Sequence, residues 1–329
     1  MLEATTGIEP RQSRVVAAFA AVYLIWGSTY LAIRFAIETI PPHLMASARF
    51  LAAGAILYAW ARLRGAPKPT FANWRAASIV GGLLLLGGNG AVVWAETRVP
   101  SGVTALLVAT VPIWIALIEG LRSGGHRPAG AVIAGLVLGL GGLALLLAPG
   151  NLAGRVDPLG AGALMLGSFS WAFGSLLSRK AKLPKSGFLA AAMEMIAGGA
   201  WLLLFGLATG QAGKLTMAAL SVKSLVSLGY LILFGSLVGF TAYIWLLGAT
   251  TASRVSTYAY VNPVVAVLLG WTFAGETMTL RTILAAAIIV VAVALIIRYG
   301  ARRPPRALAP EEPVEKLSPA AVPRQAAAR

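Results

Sequence analysis

Cysteine is absent from this 329-residue chain, and histidine occurs twice, as His43 and His126. Without cysteine there is no disulfide framework, no thiolate metal site and no cysteine nucleophile. Both histidines read as loop residues, which argues against a His-based metal site or a Ser/His/Asp triad. No metal, cofactor or catalytic constellation is expected, so the chain does not read as an enzyme. A Gly-rich loop ending in Lys-Ser or Lys-Thr is also missing, which disfavours a nucleotide-driven motor. Neither a ring of like charges nor a filter sequence is present, as a channel would more naturally require.

Charge is scarce as well. Only 12% of residues are charged, while 58% are hydrophobic and the mean hydropathy is +0.80. Water is not the solvent for most of such a chain. The formal net charge of +16 would suggest nucleic acid for a soluble protein, but here the basic residues sit in short loops and a tail between apolar stretches. Nucleic acid is therefore not an expected partner; a small-molecule substrate and membrane lipids are.

Apolar runs of the roughly twenty residues that a bilayer core needs fall at 15–37, 43–62, 74–95, 101–122, 129–148, 157–180, 187–208, 222–249, 252–273 and 280–298. Pro41-Pro42, Pro67, Pro69, Pro100, Pro128, Pro149-Gly150 and Pro184 lie between them, where helices should stop. The first run carries Trp26, Tyr30 and Arg34 and is too long and too polar for a signal-peptide core, so it reads as a retained helix. If the N-terminus is inside, twenty Lys and Arg lie on the inner side and five on the outer, with Arg34 and Arg49 assigned to helices. That asymmetry predicts cytoplasmic termini.

The chain repeats itself. Trp94 and Pro112 recur as Trp245 and Pro263, 151 residues on, while Trp26 and Arg34 recur as Trp171 and Arg179, 145 residues on. The longer loop around 210–220 accounts for the difference. Five spans per half is an odd number, so the second half enters from the opposite side and the repeat is inverted, as in secondary transporters. The expected organisation is an N-terminal tail at 1–14, a first repeat at 15–148, a linker at 149–156, a second repeat at 157–298 and a disordered, proline-rich cytoplasmic tail at 299–329. The basic end of that tail is suited to anionic lipid.

Several positions could carry chemistry. Pro112 and Pro263 lie near the middle of the fourth and ninth spans, where each removes an amide donor and frees the carbonyl of Val108 or Ala259. Paired helix breaks of this kind either mark a midplane binding site or only shape packing. Arg254, Tyr258 and Asn262 step by four along one helical face; Tyr258 and Asn262 there either line a polar cavity or bond across helices. Asn89, in the run Gly87-Gly88-Asn89-Gly90, is expected to line a cavity where small residues permit unwinding. Gly135 with Gly139 and Gly235 with Gly239 read as packing seams.

Trp26, Tyr30 and Arg34 are matched in spacing by Trp171, Ser175 and Arg179, so the two arginines are either gate residues at opposite mouths or headgroup anchors. Arg49 and Glu194 are intramembrane ionisable groups at equivalent places of the halves. Glu38 is the expected acid near Arg34 and Arg49. Glu194 reads either as the group that carries a coupling proton or as half of an ion pair with a basic residue of the sixth helix or the loop after it.

These residues also carry a resemblance. Ile25-Trp26-Gly27-Ser28-Thr29-Tyr30, Arg49-Phe50-Leu51-Ala52-Ala53-Gly54, Val99-Pro100-Ser101-Gly102, Ser170-Trp171-Ala172-Phe173-Gly174-Ser175 and Tyr258-Ala259-Tyr260-Val261-Asn262-Pro263 resemble runs of the EamA-type transporters of the drug/metabolite transporter superfamily, in particular the YedA-type bacterial exporters. The resemblance covers 15–298. It implies an all-α, ten-helix fold of two inverted five-helix repeats around a central cavity, cytoplasmic termini, a bacterial inner-membrane location and efflux of metabolites, amino acids or drugs. An uncoupled facilitator or channel for small amphipathic solutes is the alternative. The family's Gly275-Glu276 pair has Gly124-Gly125 as its first-half counterpart.

Overall fold

In the computed structural model of the chain, residues 10–121, 130–147, 156–250 and 252–300 are described. His126, Gly124-Gly125, Arg122, Arg127, Pro128 and Pro149-Gly150 lie outside them, as does most of the expected linker and C-terminal tail. Among the described residues the chain is helical, with no strand, and runs as ten rods. These are α1 (Pro10–Ala36), α2 (Pro42–Leu63), α3 (Phe71–Ala95), α4 (Ser101–Gly120), α5 (Gly130–Leu147), α6 (Pro158–Ser178), α7 (Gly187–Ala208), α8 (Val222–Ala249), α9 (Ala252–Val255 continued by Tyr258–Phe273) and α10 (Leu280–Gly300). Seven are long and apolar enough by themselves to cross a bilayer; α5, α9 and α10 carry shorter apolar stretches.

Local chemistry sets the ends. Pro42 and Pro158 open α2 and α6, where a missing N–H costs nothing. Thr70 and Asn73 form a reciprocal capping box at α3, while Asp157, Ser186 and Ser221 accept amides at the starts of α6, α7 and α8. Exposed leucines and phenylalanines such as Leu24, Leu166, Phe173, Leu204 and Leu268 face outward, as surfaces solvated by lipid tails do.

The halves meet through equivalent elements. Where α2 crosses α7, a Cβ on Gly54 would lie 2.9 Å from the Ile196 amide nitrogen, and one on Gly199 would lie 3.1 Å from that of Leu51. Leu51 and Ile196, like Gly54 and Gly199, are 145 residues apart, so the two contacts are the same contact seen from each half. Ser47 closes the crossing by donating to the Gly199 carbonyl at 2.9 Å. Gly142 of α5 likewise seats Ile288 and Ile289 of α10.

The expected paired breaks at the two prolines are not what occurs. In α4 the helix interrupts at Ala109-Thr110, so Pro112 takes an early position of the restarted segment Val111–Gly120. Pro263 sits inside the continuous segment Tyr258–Phe273, and the interruption of α9 falls before Tyr258, at Ser256-Thr257. The matched irregularity lies elsewhere, in wide π-turns at Gly82–Asn89 of α3 and Leu231–Phe240 of α8. They end 151 residues apart, at the repeat offset, and such turns recur at functional sites.

His43 is a second correction. It is not a loop residue: it is the second residue of α2, buried, with its backbone N–H and its ring nitrogen both bonded to the Gln211 side chain. A loop after α7 returning over the start of α2 buries a position that reads as interfacial in sequence.

Candidate functional site

At the level of the π-turns the rods enclose a cavity of about 60 Å³. Trp26, Thr29, Tyr30 and Ile33 of α1 line it with Arg49 and Phe50 of α2, Asn89 and Val92 of α3, Val108 and Val111 of α4, Ser168 and Trp171 of α6, Phe240 of α8 and Tyr258 of α9. Of the residues expected from sequence, Trp26, Tyr30, Arg49, Asn89, Trp171 and Tyr258 are brought together here. Pro112, Asn262 and Pro263 are buried and do not line it, and Asn262 Oδ1 has no hydrogen-bond partner among the described residues.

An aromatic box forms one side. Trp26 and Trp171 meet edge to face with ring centroids 5.6 Å apart; Tyr243 lies 4.9 Å from Trp26 and 5.4 Å from Trp171; Tyr258 lies 5.4 Å from Trp26. Each indole N–H is satisfied: Trp26 donates to the Gly235 carbonyl at 3.1 Å and Trp171 to the Tyr243 hydroxyl at 2.9 Å. Glycines seat both rings. A Cβ on Gly239 would come within 2.5 Å of Trp26, and one on Gly88, its repeat counterpart, within 2.7 Å of Trp171. Gly235 makes similar room for the Arg49 guanidinium. The spacing Gly235/Gly239 is thus a pair of side-chain seats rather than a bare packing seam.

Polar groups lining the cavity are only partly used. Arg49 Nε donates to Ser236 Oγ at 2.8 Å, but its Nη1 is buried without a partner among the described residues, and so is Asn89 Oδ1. Unmatched hydrogen-bonding groups around a water-poor space are costly and suit a cavity that takes a polar guest.

Towards the two ends of the rods stand two arginine contacts of one design. On the side away from the termini, Arg34 Nη1 donates to the Glu96 carbonyl at 2.7 Å. On the terminal side, Arg179 Nη1 donates to the Leu247 carbonyl at 3.1 Å and also to Thr250. Arg34 and Arg179 are repeat counterparts, as are Glu96 and Leu247. Both arginines tie rods together through backbone carbonyls, and both side chains remain exposed at the rod ends. Around Arg179 a vestibule of about 930 Å³ opens, lined also by Arg14, Ser178, Lys185, Ala190 and Trp245 among others.

The ionisable groups depart from expectation at two points. Glu38 does not serve Arg34 or Arg49; it accepts from Lys223 at 2.7 Å. Glu194 is fully buried and makes no ion pair among the described residues: Ser178 Oγ donates to Oε1 at 3.4 Å, and Oε2 has no partner. The acid that shares space with both arginines is Glu96, which sequence reasoning passed over. It stands one residue past the apolar run of α3 and reads as interfacial, yet it is fully buried. Its match in the repeat to the partner of Arg179 becomes visible only once the fold shows that partner to be Leu247. Glu276 caps the start of α4, accepting from Ser101 N and Oγ, both at 2.7 Å, and from Gly102 N at 3.0 Å.

Comparison with known proteins adds the family. The model of the EamA-like transporter family matches twice, at residues 13–148 and 158–298. The chain is 43% identical over 280 residues to the uncharacterized inner membrane transporter YedA of Escherichia coli K12, covering 85% of this chain and 89% of that one. It is 25% identical over 296 residues to a probable terminal-alkyne amino-acid exporter of Streptantibioticus cattleyicolor, covering 88% and 96%. One solved structure, 22% identical, shares the fold with a TM-score of 0.63 over 89% of this chain and all of its own.

Proposed function

Because the chain belongs to the EamA-like transporter family, we propose that it is a secondary transporter exporting small amphipathic metabolites, amino acids or drugs across a bacterial inner membrane by alternating access. Both termini are cytoplasmic in this reading, which puts the vestibule on the inside and the Arg34 barrier on the outside. The single observation that carries it is the small cavity held between two counterpart barriers, Arg34 on Glu96 and Arg179 on Leu247. Barriers of matched construction let one mouth open while the other holds, at little difference in energy. The names of the relatives, an inner membrane transporter and an amino-acid exporter, support the same reading.

Within it, Trp26, Tyr30, Trp171 and Tyr258 offer faces to the apolar part of the substrate, and Arg49 and Asn89 meet its polar end. Asn262, Pro112 and Pro263 shape the rods behind that wall. Arg34 and Arg179 are the gates. Glu194, one helical turn from the vestibule residue Ala190 and bonded to the vestibule residue Ser178, is the coupling acid on the inner side.

The test is reconstitution into liposomes with labelled neutral amino acids and organic cations, with and without a proton gradient. Saturable flux stimulated by substrate on the far side supports a carrier. Flux that neither saturates nor shows counterflow points to a channel, and carrier kinetics indifferent to the gradient point to an uncoupled facilitator.

A further inference from the structure

Glu96 is used by nothing described so far except through its backbone. Its side chain is fully buried, and neither carboxyl oxygen has a hydrogen-bond partner among the described residues. It stands one turn beyond the cavity residue Val92 on the same face of its rod. The charged and titratable groups around it are Tyr30 and Arg34 of α1, Arg49 of α2 and Glu276 from the turn after α9. Two of these, Tyr30 and Arg49, also line the cavity.

The arrangement holds a mismatch. An acid with two free oxygens and a guanidinium with a free Nη1 lie within electrostatic reach of each other, both buried, and no ion pair joins them. Glu276 is fixed by its three bonds to the start of α4 and bears on Glu96 as a second negative charge. Arg49 is held at Nε by Ser236, which leaves its Nη1 to turn either toward the cavity or toward Glu96.

We propose that Glu96 is an exchangeable proton site at the barrier away from the termini, and that Arg49 transmits its state to the cavity. With Glu96 protonated, the guanidinium is left to an anionic group of the substrate. With Glu96 ionised, the carboxylate draws the guanidinium away from the cavity. Substrate anion and Glu96 carboxylate thus compete for one cation, so binding of the first favours protonation of the second. Burial, then the repulsion of Glu276, hold Glu96 well above the ordinary carboxylate range, against the pull of Arg34 and Arg49. The site deepens the carrier reading and rests on it for its role in transport, but proton binding itself does not need that reading.

Infrared difference spectroscopy of the full chain in lipid nanodiscs, titrated with acid and base and with protons as the only ligand, tests it. A protonated-carboxyl band should titrate, vanish in Glu96→Gln and persist in Glu194→Gln. Arg49→Gln removes a favourable charge and should raise its midpoint by about one pH unit, whereas Glu276→Gln removes a repulsion and should lower it. Guanidinium bands lost in Arg49→Lys should shift with the same midpoint. If Glu96→Gln fails to insert, Glu96→Asp must move the band instead. A band indifferent to both substitutions, or midpoints that do not move in opposite directions, overturns the proposal. A band that behaves as stated beside liposome flux indifferent to pH leaves the proton site standing and removes its coupling role.

Discussion

Trp26 and Trp171 occupy the same position in the two halves and touch each other, edge to face, with ring centroids 5.6 Å apart. A residue that meets its own repeat counterpart marks where the pseudo-twofold axis passes. The cavity is built around that contact, so the axis and the site coincide. The counterparts are not equally dressed: Trp171 bonds the Tyr243 hydroxyl, whereas Trp26 bonds a backbone carbonyl.

The glycine seats should be intolerant of one methyl. Gly239→Ala puts a Cβ within 2.5 Å of Trp26, and Gly88→Ala does the same to Trp171, so each should cost about 1–3 kcal/mol by overpacking. Thermal unfolding with tryptophan fluorescence reads both the loss and the ring displacement. Gly162→Ala, which meets nothing within 4 Å, is the control and should leave both unchanged.

Tyr258 and Asn262, one turn apart on α9, should separate. Tyr258 lines the cavity and Asn262 does not. Tyr258→Ala should lower transport by more than it lowers folded protein in the membrane, while Asn262→Ala should lower the two in step. Flux per folded molecule, measured for both, decides; the reverse ranking would move the site toward Asn262.

Reporters fused to the two termini should both read cytoplasmic, since the Lys and Arg excess lies on one side by four to one. An external signal from either end would overturn this topology and, with one end in and one out, the inverted-repeat argument as well.

Acid should weaken the tie between the loop after α3 and the start of α6. Arg98 donates to Asp157 Oδ2 at 2.9 Å, and Asp157 Oδ1 accepts from the Leu159 amide at 2.8 Å. First the Arg98 bond and then the Leu159 amide hold the Asp157 carboxyl below the usual carboxylate range. A depressed folded-state value means the contribution is present above the unfolded carboxylate pKa and is lost as pH falls through the folded one. Asp157→Asn should therefore lower stability slightly at neutral pH, by little because the pair is exposed, and flatten the acid limb by the same small amount. An unaltered acid limb would show that Asp157 adds nothing to it.

Glu194→Gln preserves shape and fixes the neutral form, so it should abolish gradient-driven accumulation in liposomes while substrate exchange continues. Retained accumulation would leave Glu194 as a buried structural acid.

Much of this was legible because membrane burial writes itself in local runs. The ten spans, the repeat and the two tryptophans follow from hydropathy and from rare residues at a shared offset. Arg49 stood out because a charge inside an apolar run has no bland surroundings. Glu96 did not, since one residue past a span the sequence looks interfacial, and only α1, α2 and the Glu276 turn folding over it make it buried. Phe240 and Tyr243 were hidden for another reason: aromatics inside spans commonly face lipid, and the π-turn that helps aim them inward leaves no pattern in composition. Pro263 misled because a missing amide is tolerated inside a helix when neighbouring groups satisfy the freed carbonyl.

The crossing of α2 and α7 has a mechanical meaning. With Gly54 against the Ile196 backbone and Gly199 against that of Leu51, the two rods are too close to slide past one another without collision, but a tilt about the touching point keeps the glycines in contact. The crossing then acts as a pin and the rods as levers, each arm about 15 Å long. A rocking of about 10° would carry the tip of such an arm by roughly 2–3 Å. A side chain larger than glycine at the pin would hold the rods apart, and the two arms would lose their common fulcrum.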